Sequence, residues 1–317
     1  MRFRSTIFCL AVILSCLTHG SDTAHGQSPA LVDAMTWSNA YSQQGQFSEA
    51  IPYAREALRL AEDEFGPDHP NTARILNDLA SLYKAQGNYS ETEPLYQRFL
   101  AIWEKALGTQ HQYVATGLNN LAELYKAQGK YAEAEPLYRR SLTIMEKALG
   151  PEHPNVATSL NNLPLLYQTQ GKYAEAEPLY QRSMGIMEKV LGPEHPAVAT
   201  SLNNLAELLR AQGKYAEAEP LYRRSLAIME RVLGPEHPNV ALNLNNLALL
   251  YEAQGNYAEA EPLYQRALVI MEKALGPEHP NVATVLENYT ALLRETGRDD
   301  GAAEMEDRAK AIRAKVD

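Results

Sequence analysis

Cysteine is almost absent from this chain. Only Cys9 and Cys16 carry a thiol, and both lie near the start. From Gln27 onward there is no material for a disulfide, a thiolate metal site or a cysteine nucleophile. Positive charge is also short: 29 Lys and Arg stand against 39 Asp and Glu, for a net charge of −10. The basic residues are spread along the chain and gather in no single patch. That argues against a nucleic-acid partner, which requires a basic face. No apolar run is long enough to cross a bilayer as a helix. The run from Ile7 to Leu17 covers eleven residues, where a span needs about 20. There is no Ser-His-Asp set, no phosphate loop and no His-Glu-x-x-His run. Carboxylates such as Glu133 and Glu135 recur from unit to unit as solvated helix surface does, whereas catalysis needs a unique constellation in a pocket. The chain therefore reads as non-enzymatic, with no cofactor, no metal and no small-molecule substrate.

The first residues are of a different kind from the rest. Arg2 and Arg4 make a short basic head, an apolar run follows, and Ala24-His25-Gly26 offers small residues at its end. This is the layout of a secretory signal peptide over residues 1–26. The expectation is export to the periplasm or the extracellular space, with the mature chain starting near Gln27. A lipid anchor at Cys16 is the alternative, although Ile13-Leu14-Ser15 fits the usual small-residue box poorly.

What is present is repetition. Glycines fall at Gly45, Gly87, Gly129, Gly171, Gly213, Gly255 and Gly297, one every 42 residues. A fixed period of this size means a solenoid whose units pack on their neighbours. In the third unit Leu118, Leu121, Ala122 and Tyr125 form one helical stripe, stopped at Gln128-Gly129. Tyr131 opens a second stripe with Ala134, Leu137, Tyr138 and Leu142, which runs through Met145 and Leu149 to the stop at Gly150-Pro151. Pro154 sits where a helix begins, because proline in a first turn gives up only an orphan N–H. Each unit is thus a helical hairpin with two amphipathic faces. The seven hairpins span about 29–66, 67–108, 109–150, 151–192, 193–234, 235–276 and 277–317, in one array over 27–317. Pro164 stands within a first helix, and the spacing predicts a kink near Leu163. The first unit reads as an N-terminal cap. The seventh reads as a C-terminal cap, with Glu287-Asn288, Glu304 and Glu306 off the pattern and a charged last helix from Ala302 to Val316.

Leu118, Leu121, Ala122, Tyr125, Gly129, Tyr131, Ala134 and Tyr138 resemble the tetratricopeptide repeat, with Ser141 where that family prefers alanine. Its common period is about 34 residues; the eight extra residues here lengthen the second helix. The long unit, with its LNNLA, AQGKYAEAEPLY and LGPEHP runs, is similar to the repeats of kinesin light chains and related bacterial arrays. The resemblance implies an all-α, right-handed α-solenoid. It also implies that the side of the first helix opposite the core lines a concave groove, and that groove asparagines hold extended peptides.

Helical geometry places Asn120 nearly opposite the core stripe and Asn119 on its flank. The matching second-Asn positions are Asp78, Asn120, Asn162, Asn204, Asn246 and Asn288. One turn away stand residues that vary between units, among them Arg74, Glu123, Leu165, Glu207 and Leu249. Two readings of the asparagines are open: they hold a protein or extended peptide partner in the groove, or they bond to one another across repeats. A side-chain amide suits both roles. Self-association, or service as a regulatory subunit of an envelope complex, is the alternative function. The six loop histidines, His69, His111, His153, His195, His237 and His279, lie one per repeat. Packed helices are spaced roughly 8–10 Å apart, so these side chains cannot converge on a zinc ion. Each is expected to shape the loop before its helix.

Overall fold

The computed structural model describes residues 27–314. The signal-peptide and lipid-anchor expectations fall on residues 1–26 and lie outside them. The described residues contain fourteen helices and no strand. First helices of the repeats are α1 (Pro29–Gln43), α3 (Pro70–Ala85), α5 (Gln112–Ala127), α7 (Pro154–Thr169), α9 (Pro196–Ala211), α11 (Pro238–Ala253) and α13 (Pro280–Glu295). Second helices are α2 (Phe47–Phe65), α4 (Tyr89–Leu107), α6 (Tyr131–Leu149), α8 (Tyr173–Leu191), α10 (Tyr215–Leu233), α12 (Tyr257–Leu275) and α14 (Asp299–Arg313). Two compact units divide between Gln86 and Gly87. In the first, α1 and α2 pack as a hairpin and α3 packs on α2. In the second, α5/α6, α7/α8, α9/α10, α11/α12 and α13/α14 are hairpins, each second helix also packing on the next first helix.

The sequence stops each helix where the backbone requires it. Gly129 has φ +75°, a conformation that glycine adopts without penalty. Its N–H bonds to Lys126 O at 3.0 Å, and the Lys130 N–H reaches back to Tyr125 O at 2.8 Å. These bonds close the C-terminus of α5 in a Schellman turn. The extra residues of the 42-residue unit make the second helices the longer of the pair, 19 residues against 16 in α5 and α6. Prolines do not interrupt them: Pro136 lies exposed on the sixth residue of α6. Helix α7 likewise continues unbroken across Pro164 to Thr169. The last helix begins at Asp299, three residues before the start that the sequence suggested.

The core follows the two stripes. Leu118, Leu121, Ala122, Ala134 and Tyr138 are all buried. One apolar cluster runs through successive repeats by way of Tyr138, Leu163, Tyr180, Leu205, Tyr222, Leu247 and Tyr264. A second runs alongside it through Leu160, Leu202 and Leu244 with Met187, Met229 and Met271. Both hairpin faces are thus buried only by neighbours. At about 25 cal/mol per Å² of apolar surface removed from water, this shared burial is the main stabilising term. Ser141, Ser183 and Ser225, which replace a small apolar residue, are buried. They donate to the carbonyls of Ala115, Ala157 and Ala199 at 2.7–2.8 Å.

Polar bonds then tie each repeat to the next. The Tyr167 hydroxyl donates to Glu135 Oε1 at 3.0 Å, and Lys172 lies 3.5 Å from Glu135 Oε2. The same pairing recurs as Tyr125 to Glu93 and Tyr251 to Glu219. Where Leu209 replaces the tyrosine, Glu177 takes Gln212 and Lys214 instead. A second row joins consecutive second helices: Arg140–Glu104, Arg182–Glu146, Arg224–Glu188, Arg266–Glu230 and Arg308–Glu272, at 2.5–2.7 Å. Glu135 is therefore committed to the neighbouring repeat, and not the plain solvated surface that its recurrence suggested.

Candidate functional site

The candidate site is the face that α5, α7, α9, α11 and α13 present away from the core. Contacts join α7 to α9, α9 to α11 and α11 to α13, so these first helices run side by side. Asn120, Asn162, Asn204, Asn246 and Asn288 all lie on this row and all are half-buried. Thr116, Thr158 and Thr200, one turn earlier, are exposed. Arg74 is exposed on α3, in the other compact unit.

The asparagines bond to one another from repeat to repeat. Asn162 Nδ2 donates to Asn119 Oδ1 at 2.7 Å, Asn246 to Asn203 at 3.0 Å, and Asn288 to Asn245 at 2.9 Å. Thus the second Asn of one repeat gives one N–H to the first Asn of the repeat before it. The cross-repeat reading of these residues is observed directly. It does not exhaust them, since each amide carries a second N–H and an oxygen. Asn162 and Asn288 keep both.

The row has one gap. The Asn204 side chain makes no hydrogen bond to Asn161 or to any other described residue, and Asn161 Oδ1 is buried without a partner. The gap falls between α7 and α9, and α7 is the helix that holds Pro164 where its counterparts are Ala122, Ala206 and Ala248. A buried acceptor without a partner costs roughly 1–3 kcal/mol.

The varying residues divide into two sets. Glu123 is half-buried and accepts from Asn119 Nδ2 at 3.2 Å, and Leu249 is half-buried. Leu165 and Glu207 are withdrawn, 7% and 9% exposed. Glu207 pairs with Arg210 at 2.6 Å and accepts the Tyr222 hydroxyl at 2.8 Å. Burial in this cluster, with Glu207 beside it, pushes the Tyr222 hydroxyl far above its ordinary pKa. Position in the repeat gave no sign that Glu207 is withdrawn, because the equivalent Glu123 is only half-buried.

The histidines do what their place before a helix implied. Nδ1 of each accepts the backbone N–H two residues on, at 3.1–3.2 Å, in all six loops. Each is the N-cap of its helix, supplying an acceptor to one of the four free N–H groups there. Among the described residues no group of three or more His, Cys, Asp or Glu is placed to hold a metal ion.

A face of stacked first helices in a 42-residue hairpin repeat defines a helical-repeat solenoid. The tetratricopeptide repeat profile matches residues 32–105, 77–147, 113–184, 165–231, 199–268 and 240–315. The chain belongs to the tetratricopeptide repeat family, with repeats of the kinesin light chain type. A putative kinesin light chain from Podosopora anserina is 32% identical, with a TM-score of 0.55 over 65% of this chain and 98% of that one. BtubC (BKLC) from P. vanneervenii is 26% identical, with a TM-score of 0.56 over 73% and 90% of the two chains. RapI in its apo form shares the fold at 16% identity, with a TM-score of 0.67 over 90% and 98%. No curated protein matches the sequence.

Proposed function

We propose that this protein is a non-enzymatic scaffold that binds an extended peptide segment of a protein partner along the asparagine row. The observation that carries the reading is the free capacity left in that row. Asn162 and Asn288 use one N–H on a neighbour and retain an oxygen and a second N–H, while Asn204 retains everything. An extended peptide exposes a backbone N–H and C=O at each residue, and a side-chain amide answers either. Amides repeating along stacked helices supply such pairs without reading sequence. Selectivity falls to the residues that vary and stay accessible, Glu123 and Leu249 among them. The Rap conjugation gene regulator of the plasmid pLS20 is known in complex with the Phr* peptide. At 12% identity that likeness is one of fold alone.

The test is selection of peptides from a random display library on the full chain. Hydrogen exchange with and without the selected peptide then locates it. Protection confined to the first helices α5, α7, α9, α11 and α13 supports the reading. Protection confined to the second helices, or no selected binder, overturns it.

A further inference from the structure

The two ends of the described array differ. Helix α14 carries eight charged residues in fifteen: Asp299, Asp300, Glu304, Glu306, Asp307, Arg308, Lys310 and Arg313. Such a helix closes a solenoid, since a terminal repeat needs a polar outer face. Helix α1 is of the same length and carries one, Asp33. Helix α1 therefore lacks the charge that α14 carries.

Its aromatic residues lie where other repeats have buried or half-buried side chains. Trp37 occupies the position of Leu121, Leu163, Leu205 and Leu247, all buried in cores that continue from one repeat into the next. In the first hairpin Trp37 is 54% exposed and Tyr53 is 37% exposed. The rings of Tyr41 and Tyr53 stack at 5.6 Å with 14° between planes, and Trp37 lies 6.3 Å from each. Three aromatic rings in one half-exposed cluster are a large apolar surface, and such surfaces mark contacts. Aromatic residues, above all tryptophan, are the usual anchors of an interface.

We propose that this face is the contact of a two-fold homodimer, in which the first hairpins of two copies pack against each other through Trp37, Tyr41 and Tyr53. Three observations select a second copy as the occupant. The cluster stands at stacking positions of the repeat, so it continues the hairpin-on-hairpin packing of the array. The opposite end is charged, which blocks head-to-tail stacking and leaves like faces to meet in an isologous contact. Finally, the chain is strongly acidic, so two copies repel over most of their surface and approach most easily through a face with little charge. The inference is independent of what the asparagine row binds.

Sedimentation of the full chain across a concentration series tests it. A reversible shift from one chain mass to two is expected. Trp37→Glu, and separately Tyr53→Glu, should weaken the dimer by at least about a hundredfold; the monomer of each should still melt cooperatively, with the smaller change for Trp37→Glu, whose side chain is the more exposed. Glu304→Arg on α14 should leave the dimer intact. Trp103 is buried, so iodide quenching reads Trp37 and should fall as the dimer forms. A monomer at every concentration overturns the proposal, whether Trp37 is open to iodide or shielded by the chain's own residues. A dimer or longer oligomer lost on Glu304→Arg and kept on Trp37→Glu also overturns it.

Discussion

Asn162 donates its side-chain amide to Asn119, 43 residues earlier, at 2.7 Å, whereas Asn204 one repeat on has no such bond to Asn161. The two asparagines are equivalent in sequence and stand in the same motif. They differ in what their helices carry next: Pro164 lies two residues after Asn162 and three after Asn161. One row therefore contains amides that help hold the stack and an amide that does not.

Replacing Pro164 with alanine should stabilise the protein. Proline in a helix interior removes one backbone bond and crowds the carbonyl four residues back, here Leu160, at about 3 kcal/mol. Alanine already occupies the matching buried sites Ala122 and Ala206. Pro164→Ala should raise the melting temperature by several degrees and restore the Asn204 to Asn161 bond, visible as slower exchange of the Asn204 side-chain amide. An unchanged or lower melting temperature contradicts this.

The inter-repeat carboxylates set an acid limit. Burial works to raise Glu135, but the Tyr167 hydroxyl, Arg139 and Lys172 outweigh it and hold the carboxyl below its ordinary 4.5. Arg298 holds Glu261 low as well, against burial and with help from Tyr289. A lowered folded-state value means that the contribution is complete above the ordinary value and is lost as pH falls through the folded one. Glu252 has the opposite sign: burial raises it, with Glu295 adding and Tyr264 and Arg210 opposing. Its charged form is disfavoured in the fold, so Glu252→Gln should raise the melting temperature at pH 7 and lose that effect below the ordinary value. Melts of wild type and Glu252→Gln against pH check both statements.

Because the repeats bury their faces on neighbours, a whole unit should be removable. Deleting residues 149–190 joins Ala148 to Leu191 and keeps the 42-residue phase. The shortened chain should fold with a similar helical signal per residue. A deletion of about half that length should not, since it breaks the phase at every later contact. Equal unfolding of both by circular dichroism would show that the units are not modular.

Residues 1–26 give a prediction of their own. Their basic head, apolar run and small-residue end should direct export and cleavage, so intact mass from the native host should correspond to a chain starting near Gln27. A species starting at Met1 in the soluble cytoplasmic fraction would contradict it.

Much of the fold was legible because its signals repeat. Gly129 and its counterparts stop helices by backbone conformation, and Leu118 with Leu121 marks a buried stripe; seven copies leave little room for another period. The histidines were legible for the same reason, since each copy stands immediately before a helix start. The partners of charged residues were not. Glu135 and Tyr167 are 32 residues apart, and only the stacking distance between repeats brings them together. Glu207 is withdrawn because in that repeat a glutamate stands three residues before an arginine and beside the recurring tyrosine, whereas the equivalent Glu123 precedes Lys126; a period-based reading averages over such a difference. The exposure of Trp37 is not legible in the sequence, which places the residue at a core position of the repeat.

The most direct test of the account compares two asparagines by affinity and by stability. With a peptide selected on the wild-type chain, Asn204→Ala should weaken binding while leaving the melting temperature unchanged, since that amide has no protein partner. Asn246→Ala removes the bond to Asn203 and should lower the folding stability by about 1 kcal/mol, and the melting temperature with it. The double variant Asn162→Ala with Asn204→Ala should bind roughly tenfold more weakly or worse. If Asn204→Ala lowers the melting temperature by several degrees and leaves affinity untouched, the asparagine row is a structural ladder and the scaffold's partner binds elsewhere.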